Sequence, residues 1–346
     1  MPVKKQDPEE WFHQSATTYV QAQILFHLNQ TGVINFIFSN GPSTSKEIAE
    51  KLNLVTGTLE TLLDYAFHVD EIFQRDSGRR YEFSEFGRAV LKRYGREVNG
   101  MHHFNFFDVR LGGYEPVWNG LSKLLKGEAK YGNQIHRRGE FAAEGLFTSS
   151  IGFFPTLKTT IESVETPGVV EFGVSTGLLM ALAQTGIKRK WSGLDRNPSE
   201  LLKADSKASA LGVTGIKWIE ADLYAPNKWA KELFGLPQIF FSVHFHEFMA
   251  KGWKANVDLL KSLRERFSGS YVIALEQPRK EIQDRDKLPK SQWLYSQSNV
   301  LIHHLVGNGN ILTESEWSRL FEEAGCSLVK IDKTGYLGYY LFMFRF

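Results

Sequence analysis

Gly168-Val-Val-Glu-Phe-Gly-Val-Ser-Thr-Gly177, then Leu178-Leu-Met-Ala-Leu-Ala183, then Trp191-Ser-Gly-Leu-Asp195 is the stretch that decides the fold. Val169 to Phe172 read as a short buried strand. Gly173 to Gly177 read as a turn, and Leu178 to Gln184 carry helix formers. A second apolar run ends on an acid, Asp195. Strand, glycine turn, helix, strand and acid make half of a nucleotide-binding α/β unit. Glycine in such a turn lets the backbone approach a ligand. Asp195 lies 24 residues after Glu171, where a carboxylate can accept from both hydroxyls of a ribose.

The turn departs from the dinucleotide pattern G-x-G-x-x-G. It keeps two glycines with three residues between them. A pyrophosphate needs a tight cradle of N–H groups at a helix N-terminus, so this turn suits a ligand without phosphates better. The alternative is a plain structural βα turn, and the later motifs weigh against it.

Strand-like runs near Val169, Trp191, Lys217, Gln238, Tyr271, Lys330 and Tyr339 alternate with helical stretches. This predicts a doubly wound, mostly parallel, Rossmann-like α/β sheet over 161–346. Ligands of such sheets sit at the carboxyl ends of the strands. Asp195 ends the second strand, Glu220-Ala-Asp222-Leu223 the third, and His244-Phe-His246-Glu247 the fourth. The topology predicts that they converge on the turn at Gly173.

Upstream, apolar spacing predicts a helix over 16–39, a second from Pro42 to Leu52 capped by Ser43 or Thr44, and a third from Leu59 to Val69. A β-hairpin is expected around Asp76-Ser-Gly78. This is the order of a mainly α winged helix-turn-helix domain over 1–100. DNA binding needs cations for phosphate contact. Thr56 to Phe67 contains no Lys or Arg, so dimerisation and covering of substrate is the better reading. Residues 101–160 read as a helical linker or lid, with the ring-dense Met101–Asp108, an amphipathic helix from Trp118 to Gly127, a polar loop from Lys126 to Glu140 and a connecting helix from Phe141 to Ile161.

The 346 residues are 42% hydrophobic with a formal charge of +2, so nothing demands a nucleic acid or a membrane as partner. The single cysteine, Cys326, leaves no internal disulfide and fits a reducing compartment. The N-terminus has no apolar signal core and no stretch approaches 18 apolar residues, so a cytoplasmic location is expected.

Over nearly its whole length the chain resembles the plant and bacterial O-methyltransferase-type family of class I S-adenosylmethionine enzymes. Tyr81-Glu-Phe-Ser-Glu-Phe-Gly87, the Gly173 turn, Ala221-Asp222-Leu223-Tyr224, His246-Glu247-Phe248, and Thr313-Glu-Ser-Glu-Trp317 with Ala324-Gly325 fall in family order. The resemblance implies that the cofactor is S-adenosyl-L-methionine. Glu171, Gly173, Ser175 and Gly177 would bind it around the methionine part, Asp195 at the ribose, and Asp222 and Leu223 at the adenine. It implies His246 as general base and a homodimer formed by the N-terminal domain. Two motifs depart from the family: Gly-Val-Ser-Thr-Gly stands for Gly-Gly-Gly-Thr-Gly, and His-Glu-Phe for His-Asp-Trp.

Further histidines are His244 and the pair His303-His304. Two histidines and a carboxylate can bind iron or zinc with positions left open. A 2-oxo acid chelated through carboxylate and ketone has a stabilised enolate, which makes C3 nucleophilic. Ser291 to Ser298 with His303 to Gly309 resembles the 2-oxo-acid C-methyltransferases of this family, of the 2-ketoarginine type. His246 and His303 are therefore expected as metal ligands or as base and orienter, with Glu247 a third candidate. A guanidinium-bearing acceptor would want a carboxylate and rings, and Asp108, Tyr114 and Glu115 qualify by residue type. Three alternatives remain open. The protein could methylate the oxygen of a phenol or hydroxyl. It could cyclise S-adenosylmethionine and release methylthioadenosine. Or it could be a non-enzymatic protein on the same fold.

Overall fold

The computed structural model describes residues 7–69, 71–98, 101–104, 107–139, 141, 152–233, 235, 237–242, 245–307 and 309–346. The chain forms two compact units, Met1–Asn119 with Arg137–Ser149, and Gly120–His136 with Ser150–Phe346.

The first unit opens with helix Pro8–Gln30, capped by Asp7, whose side chain accepts from the Glu9 amide. The single helix expected over 16–39 is two: Gly32 takes φ 81 and the chain restarts as Val33–Asn40. Left-handed backbone cannot continue an α-helix, and glycine adopts it without steric cost. β1 (Ser43–Thr44) leads into helix Ser45–Leu52, where Thr44 and Glu47 form the reciprocal capping box. Helix Thr56–Val69 follows, then β2 (Phe73–Arg75) and β3 (Arg80–Phe83) as the expected hairpin, in a sheet ordered β1-β3-β2. After helix Glu85–Tyr94, β4 (Gly95–Val98) pairs antiparallel with β5 (Met101–Phe104). Leu28, Val33, Ile48, Leu63, Phe73 and Phe83 fill this unit's core.

The amphipathic helix expected from Trp118 is likewise split, into Glu115–Asn119 and Leu121–Leu125 around Gly120. Of the helix expected over Phe141–Ile161, the structure describes Phe154–Glu162, with Pro155 in its first turn. Residues 142–151 lie outside the described residues.

The second unit is built on a seven-stranded sheet. Its strands are β6 (Gly168–Phe172), β7 (Lys190–Asp195), β8 (Ile216–Glu220), β9 (Gln238–Ser242), β10 (Tyr271–Glu276), β11 (Ser327–Lys333) and β12 (Tyr340–Arg345). The order is β11-β12-β10-β9-β6-β7-β8. β6 to β10 are parallel, and β11 and β12 close the edge as an antiparallel hairpin. Successive residues point to opposite faces. Val170, Phe172, Phe241 and Ala274 face Trp317 and Phe321, whereas Val169, Phe240 and Leu275 face Leu157, Leu178 and Leu182. Both faces are covered, which is why these strands read as continuous apolar runs.

The strand order reverses between β6 and β9. Connections leave the two strands in opposite directions, which opens a crevice at their carboxyl ends.

Candidate active site

The turn after β6 occupies that crevice. Gly173 has φ 79 and Gly177 φ 73, while Val174–Thr176 form one turn of 3-10 helix. Only the first and last positions need the left-handed region, so the chain keeps glycine there and tolerates Val174 and Ser175 between. The Val174 side chain is buried and has its own accommodation in β7. A Cβ built on Gly193 would lie 2.8 Å from Val174 Cγ1 and 2.4 Å from the Trp218 ring. A glycine in β7 thus makes room for the Val174 side chain.

Glu171 lies beneath the turn and is wholly buried. Its Oε1 accepts from Thr176 Oγ1 at 3.1 Å and its Oε2 from the Leu179 amide at 3.2 Å. Burial pushes this carboxyl up to about 7, against the pull of its hydrogen-bond donors. Thr176 Oγ1 also lies 3.2 Å from Ser242 Oγ, the last residue of β9. Glu171, expected among the cofactor-binding groups, has both carboxylate oxygens hydrogen-bonded within the turn and the helix after it.

Asp195 ends β7 beside this turn. Its Oδ2 accepts from the Val174 amide at 3.4 Å and its Oδ1 from the Asn197 amide at 2.9 Å. The Gly173 amide donates to Leu194 O at 2.8 Å, which ties the turn to the same strand end. Ser175 is exposed on the turn. Asp222 and Leu223 follow β8. Asp222 is exposed, with Oδ1 accepting from the Tyr224 amide at 3.0 Å, and Leu223 is buried. Gly173, Ser175 and Gly177 thus share one turn with Asp195 bonded beside it, and Asp222 and Leu223 stand at the end of the next strand.

His246 lies in the 3-10 turn Phe245–Lys251 that follows β9, and is 4% exposed. Its Nδ1 is 2.7 Å from Glu276 Oε2, and its backbone amide donates to Glu276 Oε1 at 3.2 Å. With Glu276 ionised the carboxylate only accepts, which puts the ring proton on Nδ1 and leaves Nε2 as the basic nitrogen. Glu276 ends β10 and is 1% exposed. It was not among the expected residues. The signal was present, since Tyr271-Val-Ile-Ala-Leu-Glu276 is an apolar strand ending on an acid, the same pattern that marked Asp195.

His303, on helix Lys290–Leu305, sets its ring edge-on to His246 with centroids 4.3 Å apart and planes at 77°. The neighbouring His304, a step of about 100° along the helix, is exposed. Gly309, with φ 84, packs against the backbone of the His246 turn. A Cβ there would meet Ala250 N at 2.6 Å and His246 O at 2.8 Å. Glu247 is half-buried, and Glu276 supplies a carboxylate bonded to His246. His244 lies outside the described residues. Among the described residues no group of three or more His, Cys, Asp or Glu is arranged to hold a metal ion.

Asp108, Tyr114 and Glu115 belong to the first unit and are engaged within it. Buried Asp108 accepts from Gln30 Nε2 at 3.0 Å, Tyr114 OH from Arg137 at 3.3 Å, and Glu115 pairs with Arg138 at 2.8 Å. Among the described residues no helix is long and apolar enough to cross a membrane.

Neither protein-family models nor curated proteins give a match to this chain. Solved structures do. A candidate O-methyltransferase from Nostoc punctiforme is 16% identical, with 99% of this chain and 100% of that chain covered and a TM-score of 0.73. Human N-acetylserotonin methyltransferase, solved with S-adenosylmethionine, is 15% identical over 100% and 99%, with a TM-score of 0.69. The pyocyanin biosynthetic protein PhzM is 15% identical over 96% and 97%, with a TM-score of 0.67. The likeness is one of fold throughout: this chain has the Rossmann-like O-methyltransferase fold, helical N-terminal region included.

Proposed function

We propose that the protein is an S-adenosylmethionine-dependent methyltransferase acting on C3 of a small 2-oxo acid, such as 5-guanidino-2-oxopentanoate. The observation that carries the reading is the His246–Glu276 pair at the strand ends beside the glycine turn. The turn fits the cofactor: two left-handed glycines keep its backbone bare, and acids end the two strands beyond it. Bound there, S-adenosylmethionine supplies an electrophilic methyl group. His246 Nε2 takes the proton from the acceptor, Glu276 stabilises the imidazolium so formed, and His303 orients the ring. The solved neighbours that carry S-adenosylmethionine support the cofactor.

A metal version of this reading would place iron or zinc on His246 and His303, with the carboxylate and ketone of the 2-oxo acid as further ligands. The 4.3 Å approach of the two rings supports it. Metal analysis of the purified protein that returns neither iron nor zinc ends it. O-methylation of a phenol or hydroxyl is the second reading, since the same histidine–glutamate pair can deprotonate oxygen. Carbon NMR of the product separates the two, because a new C3 branch supports the first and a methoxy signal the second. His246→Ala should slow either reaction by ~10²–10⁴, and a loss under about tenfold would remove the base.

The homodimer reading rests on helix Pro8–Gln30. Its buried residues all lie at its carboxyl end, while Trp11, Phe12 and Tyr19 are 57%, 64% and 62% exposed. A second copy covering this stripe would remove these three exposed rings from water. Light scattering on the intact chain tests it, and a monomer at micromolar concentration rejects it.

A further inference from the structure

Gln277 directly follows Glu276 at the carboxyl end of β10 and is 5% exposed. Its Nε2 donates to the carbonyl oxygen of Leu337, in the loop that joins β11 to β12. A carbonyl can only accept, so the amide is oriented without ambiguity, with nitrogen towards Leu337 and Oε1 away from it. Oε1 is buried and has no hydrogen-bond partner among the described residues. Native chains leave few buried polar atoms so, and each calls for a reason.

Leu337 is a second departure. Its φ of 47 lies in the left-handed region that leucine rarely adopts. Backbone strain of this kind clusters at ligand sites. Position separates Gln277 from Gln238 Nε2 and Ser270 Oγ, which also lack a partner among the described residues. Gln238 and Ser270 stand at the amino ends of β9 and β10, the far side of the sheet from the crevice. Gln277 stands at the end where Glu276 meets His246.

We propose that Gln277 Oε1 recognises the methyl acceptor, by accepting a hydrogen bond from an N–H or O–H group on the part of the acceptor away from the reacting carbon. The inference rests on the 2-oxo-acid reading above and names what that site selects. A guanidinium tail carries such donors and a plain alkyl tail does not. A buried acceptor left unmet is what lets a site reject an analogue that lacks the donor.

The test compares kcat/KM for 5-guanidino-2-oxopentanoate and 2-oxohexanoate in the parent, Gln277→Met and Gln277→Glu. Both substitutions break the bond to Leu337, and only methionine removes the oxygen acceptor. The parent's preference for the guanidino acid should fall at least tenfold in Gln277→Met, through KM, and persist in Gln277→Glu. An unchanged preference in Gln277→Met, or equal losses on both acceptors in both variants, would show a structural role and overturn the proposal. If Gln277→Met does not fold, Gln277→Glu decides alone: its preference must hold or rise, and a tenfold fall overturns the proposal. A parent that turns over neither acid defeats the 2-oxo-acid reading and this inference together. Turnover of both with an unmoved ratio defeats this inference only.

Discussion

Glu276 accepts two hydrogen bonds from His246, one from the ring at Nδ1 (2.7 Å) and one from the backbone amide (3.2 Å). One carboxylate thereby fixes both where the residue sits and which nitrogen is basic. It joins the ends of two neighbouring parallel strands, β9 and β10, at the crevice that the sheet order creates. An acid that orients a histidine in this way supports the cation formed on proton transfer.

Glu276→Gln keeps the shape and loses the charge. It should lower kcat by about 10²-fold or more, by analogy with acid-to-amide changes behind a histidine base. Cofactor affinity should change less than about threefold. Steady-state kinetics with calorimetric titration of S-adenosylhomocysteine checks both. A kcat within threefold of the parent's removes Glu276 from the chemistry.

Thr176→Val deletes a hydroxyl shared between Glu171 and Ser242. Buried Glu171 loses a donor, which costs about 1–3 kcal/mol. The turn loosens, so the dissociation constant for S-adenosylhomocysteine should rise. Denaturant melts and titration read the two effects, and a variant equal to the parent in both contradicts the role given to this network.

The pH dependence of stability follows from Glu171. Burial raises its carboxyl from 4.5 to about 7. The folded chain therefore holds a proton that the unfolded chain has released. The stability this proton brings is full below pH ~4.5, falls as pH rises, and is gone above ~7, a change of about 3 kcal/mol. Glu171→Gln cannot ionise, so parent stability relative to Glu171→Gln should decline across that window. Urea melts of both proteins at several pH values test it, and a flat difference from pH 5 to 7.5 contradicts it.

Gly309 and Gly307 make a contrasting pair. Both have positive φ, 84 and 64, but only at Gly309 would a Cβ strike the backbone of the His246 turn. Gly307→Ala should cost about 1–2 kcal/mol for left-handed alanine and leave kcat near the parent's. Gly309→Ala should cost more and lower kcat by moving His246. Equal kcat in the two variants would deny that this contact positions the histidine.

The strands were legible because a sheet covered on both faces needs apolar runs, as in Ile239–Phe241 and Val272–Leu275. The Gly173 turn was legible because left-handed positions demand glycine. Glu276 was harder, since Glu220 ends β8 in the same way yet is exposed. Strand-end acids look alike until neighbouring elements decide which is buried. The His246–His303 contact spans 57 residues and depends on how one helix returns over the sheet, which spacing does not encode. The break at Gly32 was missed because a lone glycine inside a helical pattern does not always end the helix. Asp108, Tyr114 and Glu115 were assigned to an acceptor on residue type alone, and each proves to be engaged within its own unit.

The most direct measurement is mass spectrometry after incubating the protein with S-[methyl-¹³C]adenosylmethionine and a panel of 2-oxo acids, phenols and hydroxyl compounds. The account predicts release of S-adenosylhomocysteine with the labelled methyl group on one acceptor, a 2-oxo acid first among them. Methylthioadenosine release, or bound cofactor left unspent with every acceptor, would contradict it.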